Sequence, residues 1–559
     1  MIAPFTVIQL RGSEVEMGRQ HGAIVRQMGG RPELADFYPG MAGRLLSLRS
    51  PNAHRRALRG LLQPFLAASA TRLHNARVQR FPVLAARASA GIEAAGHGTG
   101  LLRWLTVMDV FQNTISRLAG LRVPQLTGLR LAGIGMCSSL AVWGDASDDG
   151  TLRHARNFDF PGIGVWDKHP SVVFCSPDDG LRYGYVTSLG VDLPGITGFN
   201  EAGLTLTAHT RMHVDIDPDG TCIADLGHEI IRRARTLGEA VDLARKLGAS
   251  STWGLLVSSA SERDAVVIET TGKAVRVTAP GADHHLACTN RYRSPDLIPG
   301  EVLTSMAFAV DSDARFETLQ RAAARGGLSA ADLRALLATS EDPNAAPGCT
   351  ADRITGSCIS SPLTVKSVVV EPEAGRIQVA SGRAPVARGP WETVDWDWSG
   401  QVGVSERRIV PAEQPRTPLD AARLAYVEAA RRDLDGQPAG VVRAHLHSAA
   451  LAAPNEPSLQ FLGAMAGMGE RDLDLAGSRL HAALSVESGP WRRAILLRWA
   501  AKVAEAQGRP AQAEHHRTAI GALGAQAVPV RALLDADRRR PATVSTLSRV
   551  VPDLLLVDA

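Results

Sequence analysis

The chain has 559 residues, 45% of them hydrophobic and 21% charged, which is more than one hydrophobic core organises and excludes a disordered protein. Its formal net charge is only +4 and its arginines are spread along the chain, which argues against a dedicated nucleic-acid surface. No uninterrupted apolar run of about 18 residues is present, so no membrane span is expected. Met1 to Met17 also lacks the basic and then apolar segment of a secretory signal.

The six cysteines (Cys137, Cys175, Cys222, Cys288, Cys349 and Cys358) are sparse and include no CxxC pair. This fits free thiols in a reducing, cytoplasmic setting and argues against a zinc ribbon. His284-His285 and His515-His516 lack the spacing of a metal site. There is no Walker A loop, no strand-linked GxGxxG, no HExxH and no GxSxG, so no cofactor is expected.

In chain order, residues 1 to about 130 read mostly as helix, a leader ending at Met136. Ser13 and Glu16 form a capping-box pattern, followed by Met17, His21, Ile24 and Val25 on one helical face. Further helices are expected over 55–68 and 83–95, with a break at 96–100. The texture changes at Gly133. Residues 137–142 read as a strand, Asp145 to Gly150 as a turn and 151–160 as the returning strand. More strands are expected at 171–175, 183–188 and 195–209, folded over at 200–203, then an amphipathic helix over 225–247. Strands at 253–258, 265–269, 274–278 and 285–289 follow, then helices at 314–324 and 329–339, and a last hairpin at 367–371 and 376–380.

Strands and helices in blocks predict a layered α/β or α+β domain over 137–400. Residues 401–416, with Pro411 and Pro415, read as a linker. An Ala-rich helical region over 417–530 has a spacing near that of tetratricopeptide-type helix pairs, or forms a plain bundle, and a tail runs over 531–559.

The most informative segment is Gly135-Met136-Cys137-Ser138-Ser139-Leu140, with Arg156-Asn157-Phe158-Asp159 after the hairpin. A free thiol with a pKa of about 8.5 is mostly protonated near neutral pH and needs activation. An α-amino group, with a pKa of about 7.7 to 8.0, is a suitable base. If the Met136–Cys137 bond is cut, Cys137 supplies nucleophile and base from one residue. Arg156 then favours thiolate and Asp159 holds the new amino group.

These residues resemble the nucleophile hairpin of the choloylglycine-hydrolase and acid-ceramidase group, and most of all the penicillin acyltransferase-like autoproteolytic family. Arg156 follows Cys137 by 19 residues, slightly more than is usual in bile-salt hydrolases. Four further stretches are similar to family signatures: Arg11 to Gly22, Gly198 to Leu204, Cys288 to Tyr292, and Asp313 to Phe316 as a Ser-x-x-Arg helix start. Arg291 stands where a histidine is more usual.

The resemblance implies an N-terminal-nucleophile αββα four-layer sandwich with a helical leader and a separate all-α C-terminal region. It implies that Asn290, and also Asn200, face the developing oxyanion, and that Arg315 sits near the nucleophile. Asn200 equally suits a simple turn. The remaining cysteines are expected to be inert.

The resulting expectation is a self-processing cysteine enzyme. It would hydrolyse or transfer an acyl group from a small N-acyl amide or thioester through a thioester on Cys137. Its partner would be that small molecule, with a protein partner also conceivable on the C-terminal helices, and neither nucleic acid nor membrane. The alternative is a catalytically inactive sheet domain serving a helical-repeat interaction scaffold.

Overall fold

The computed structural model describes residues 4–120, 136–281, 283–303, 305–342, 353–409, 418–555 and 557. Cys349, Gly133, Gly135 and the proline-bearing stretch 410–417 lie outside them. The chain opens on β1 (Phe5–Gly12), then α1 (Glu14–Gln27), α2 (Glu33–Ser47), α3 (Asn52–Arg80), α4 (Pro82–Ala94) and α5 (Val107–Gly120). Seven strands and helices beyond the leader come next: β2 (Ser138–Gly144), β3 (Gly150–Asp159), β4 (Pro170–Pro177), β5 (Tyr183–Ser188), β6 (Thr197–Asn200), β7 (Leu204–Thr210) and α6 (Ile223–Arg233). After α7 (Leu237–Leu247) come β8 (Trp253–Ser259), β9 (Asp264–Thr270), β10 (Val275–Thr278), β11 (His285–Cys288), α8 (Met306–Ala324) and α9 (Ala330–Leu337). The sheets close with β12 (Thr364–Glu371), β13 (Arg376–Ala380), β14 (Trp391–Asp395) and β15 (Gly403–Arg407).

The strands form two sheets. One has nine strands in the order β10-β9-β8-β7-β6-β5-β4-β1-β15, the other six in the order β11-β2-β3-β12-β13-β14. Alternation along each strand stacks them. Ile8, Leu10, Val173, Leu206 and Leu255 on one face of the larger sheet pack on Met17 and Val25 of α1 and on Leu226, Ile230 and Ala240 of α6 and α7. On its other face Phe5, Val172, Phe174 and Phe199 meet Val368, Val370, Ile377 and Val379 of the smaller sheet. The far side of the smaller sheet, through Leu140, Val142 and Val369, is covered by Leu319, Leu333 and Leu337 of α8 and α9. The layers therefore run helix, sheet, sheet, helix.

Three expectations need correction. The leader is mostly helical, as expected, but opens on a strand that was not expected: β1 is an inner strand of the nine-stranded sheet, parallel to β4 and antiparallel to β15. Both its faces are buried, so its apolar run carries no clean alternation to announce it. The stretch read as one helix over 225–247 is two. Extended backbone at Ala234 ends α6, and Thr236 caps α7 by accepting from the Glu239 N–H. The hairpin at 376–380 is not the last, because β14 and β15 follow, and β15 occupies part of the expected linker.

The capping box of α1 forms as expected. Gly18 and Gly22 of that helix face α4 so closely that a Cβ at either would collide with the Arg87 or Gly91 carbonyl oxygen. This gives a physical reason for both glycines of the N-terminal signature.

The C-terminal region is all-helical: α10 (Pro418–Leu434), α11 (Ala439–Ala452), α12 (Pro457–Glu470), α13 (Leu473–Val486), α14 (Pro490–Ala506), α15 (Pro510–Gly521), α16 (Val528–Arg539) and α17 (Val544–Leu547). From α10 to α15 each helix packs on the next. The region shares its core with the rest of the chain: Tyr426, Ala430 and Leu446 join one apolar cluster with Met41, Leu45 and Leu66 of the leader and with Met136 and Cys137. Arg55 of α3 donates to Asp433 at 2.7 Å. Among the described residues no helix is long and apolar enough to cross a membrane.

Candidate active site

Cys137 stands immediately before β2, an inner strand of the smaller sheet between β3 and β11. Pairing fixes its neighbours: Ser139 lies opposite Arg156 on β3 and opposite Cys288 on β11. Continuing the second ladder brings Asn290 across from Cys137, and the Cys137 N–H donates to Asn290 Oδ1 at 2.8 Å. Arg156 Nη2 donates to Cys137 Sγ at 3.8 Å. Its other bonds, to the carbonyls of Ile196 and Ala208 and to Thr197 Oγ1, fix it across the two sheets. Arg315 reaches in from α8, where Nη1 donates to the Cys137 carbonyl at 2.7 Å and to Ser138 Oγ at 3.0 Å, and Nη2 donates to Asn290 Oδ1 at 3.1 Å.

Burial dominates the electrostatics. It pushes the Cys137 thiol above its usual range, against the pull of the Arg156 guanidinium and of the Asp159 backbone N–H. Asp159, at the end of β3, is pushed up to about 8 by burial, with Arg315 and the Thr364 hydroxyl opposing the shift. Thr364 Oγ1 donates to Asp159 Oδ1 at 2.6 Å, while Oδ2 is buried without a partner among the described residues. A carboxyl group that changes charge near neutral pH beside a nucleophile is a chemically competent proton acceptor or ammonium partner.

Five of the six expected residues converge here: Cys137, Arg156, Asp159, Asn290 and Arg315. Asn200 does not join them. Its Nδ2 donates to the carbonyls of Ile231 and Ala234 at 2.8 and 2.9 Å, and its Oδ1 accepts from the N–H groups of Ala202 and Leu204. That side chain ties the β6–β7 turn to the end of α6, the simple turn role.

Asn290 is present with the opposite polarity to that expected. Its Oδ1 receives two donors and its Nδ2 donates to the Thr210 carbonyl at 2.9 Å, so it offers the Cys137 nitrogen an acceptor, not an oxyanion donor. Two donors on one atom fix the amide orientation. Arg291 is tied to Glu301 and Asp313 at 2.8 and 2.6 Å. Arg315 is in the middle of α8 rather than near its start, since Ser305 caps that helix.

Sequence reasoning missed Asp311, whose Oδ2 accepts from Arg315 Nε at 2.8 Å. An Asp four residues before an Arg is a readable helical pair, but only if the helix is extended back over Met306 to Asp313.

The loop that leaves Asp159 borders a cavity of about 760 Å³, lined by Ile163, Pro170, Ala384, Leu424 and Val427, with Lys168 and Arg383 also in its wall. Ile163 belongs to the same apolar cluster as Cys137. Cys175 and Cys288 are pushed up to about 12 and about 11 by burial, which makes them poor nucleophiles.

Helix, sheet, sheet, helix, with Cys137 opening an inner strand, is the four-layer αββα arrangement expected from the sequence. Residues 149–383 match the family described as acyl-coenzyme A:6-aminopenicillanic acid acyl-transferase. The stretch begins after Cys137 and includes Arg156, Asp159, Asn290 and Arg315. A crystal structure of a mutant conjugated bile acid hydrolase from Clostridium perfringens is similar over 49% of this chain and 97% of that one, at 11% identity and a TM-score of 0.31. No curated protein matches the chain.

Proposed function

We propose that the chain cuts itself between Met136 and Cys137 and that Cys137 then carries an acyl group taken from a small N-acyl amide or thioester. The observation that carries this reading is the placing of the two reactive atoms of one residue. The Cys137 nitrogen is held by Asn290 at 2.8 Å while its sulfur faces Arg156 at 3.8 Å. In self-cleavage Sγ attacks the Met136 carbonyl carbon, the C–N bond to Cys137 breaks, and the thiol proton passes to the departing nitrogen. Water then hydrolyses the thioester and leaves a free α-amino group.

That amino group is the base of the mature enzyme. It takes the thiol proton as Sγ attacks the substrate carbonyl and returns it to the leaving amine. Arg156 favours thiolate, Asp159 holds the ammonium form and Arg315 anchors the Cys137 carbonyl.

Purified protein is expected to give a fragment that begins at Cys137, read by N-terminal sequencing and intact mass. Cys137→Ala is expected to stay as one chain. An active wild type that remains uncut would overturn the reading, and a screen of N-acyl amides then identifies the acyl group.

A further inference from the structure

The site is tied to the C-terminal helices by a short buried segment. Residues 353–357 are held from that side at nearly every position. Arg353 Nη2 donates to Glu487 at 2.8 Å, and the Ile354 N–H donates to Glu456 at 3.2 Å. Thr355 accepts from the Tyr426 hydroxyl at 3.0 Å and from the Ser458 hydroxyl at 3.1 Å, and Ser357 Oγ accepts from Arg492 at 3.1 Å. These partners come from α10, the start of α12, the end of α13 and α14.

Gly356 and Ser357 both have positive φ, 76° and 57°. For serine that backbone is costly and persists only where the surroundings over-determine it. Its result is that the Ser357 N–H points at Asp311 and donates to Oδ1 at 2.8 Å. The other carboxylate oxygen of Asp311 holds Arg315, which in turn grips the Cys137 carbonyl and the Asn290 oxygen that receives the Cys137 N–H. Asp311 and Ser357 are buried and Arg315 is 0% exposed, so water does not dilute these bonds.

We propose that Asp311 is a positioning residue for the nucleophile, and that the C-terminal helical region sets it in place through the segment from Arg353 to Ser357. This rests on the reading of Cys137 as the nucleophile.

The test is hydrogen exchange in the full-length Cys137→Ala chain, which keeps the residue-137 N–H and needs no self-cleavage. Asp311→Asn is expected to speed exchange of that amide at least 10-fold, and Arg492→Ala about 3-fold. The two together should do no more than Asp311→Asn alone, while β9 peptides stay unchanged. Arg492→Lys, which keeps a donor on the segment, restores protection. Unchanged exchange at residue 137, effects that multiply in the double variant, or effects that spread to β9 would overturn the proposal. With Cys137 restored, Asp311→Asn should slow self-cleavage about 10-fold, and cleavage at the wild-type rate counts against it. A wild type that is never cut sinks the self-processing reading instead, and the exchange result still decides this one.

Discussion

At the scale of residues, Asn290 and Asp159 make opposite demands on charge. Asn290 receives N–H donors from Cys137 and Arg315, so an acceptor at this position is what matters. Asn290→Asp keeps that acceptor while losing the donor to the Thr210 carbonyl, and is expected to slow turnover less than Asn290→Ala, which slows it roughly 100-fold. An oxyanion donor would give the reverse order, because an aspartate there repels the developing charge. Steady-state kinetics of both variants decides between them.

Asp159 is raised in the folded chain to about 8 from its ordinary value of 3.8. A carboxyl raised in this way favours folding while protonated. Its contribution is complete below about pH 4 and is lost as pH rises through about 8. In the uncut Cys137→Ala chain, stability is therefore expected to fall by on the order of a few kcal/mol across that window. Adding Asp159→Asn should flatten the fall, as read by denaturant unfolding at a series of pH values. The same slope in both proteins would show that Asp159 is already ionised in the fold.

At the scale of elements, the leader is wired into the two-sheet region. β1 sits between β4 and the edge strand β15, and its removal would leave β15 unpaired and expose β4 as a new edge. Arg87 of α4 grips Asp192 through Nε and Nη2 at 2.8 and 3.0 Å, a bidentate pair, and Nη1 also reaches Tyr183. Arg77 of α3 holds Asp225 at 2.8 Å, and Arg31 donates to the carbonyls of Leu189 and Val165. Buried charges of this kind are costly to strand without a partner. After cleavage the leader and the remainder are therefore expected to co-elute on gel filtration and to separate only in denaturant. A leader that elutes alone under native conditions would show that β1 is released.

At the scale of the whole molecule, the proline-bearing stretch and the Ala-rich composition point to a separate helical region. The shared core speaks against that. Truncation near Gln414 would strip Arg353, which is 0% exposed, of Glu487 and would uncover the leader residues packed on Tyr426 and Ala430. The truncated chain is expected to be insoluble or unable to cut itself. A soluble truncation with normal self-cleavage would establish independence.

What the sequence determined by itself was local or carried by spacing. The cysteine-opened hairpin, the capping box of α1, most strands of both sheets and four of the five residues gathered around Cys137 were legible, because each rests on neighbours in the chain or on a motif in fixed order. Only the tertiary structure decided the rest. The strand character of β1 comes from being buried on both faces, which erases its periodicity. The turn role of Asn200 depends on carbonyls at Ile231 and Ala234, some thirty residues away. The polarity of Asn290 depends on Arg315 and on the Cys137 N–H arriving at one oxygen. Asp311 acts only because Ser357, brought there by the C-terminal helices, meets it from the other side. Long-range hydrogen bonds carry no periodic signal in the chain, so their partners become visible only once folding has brought the segments together.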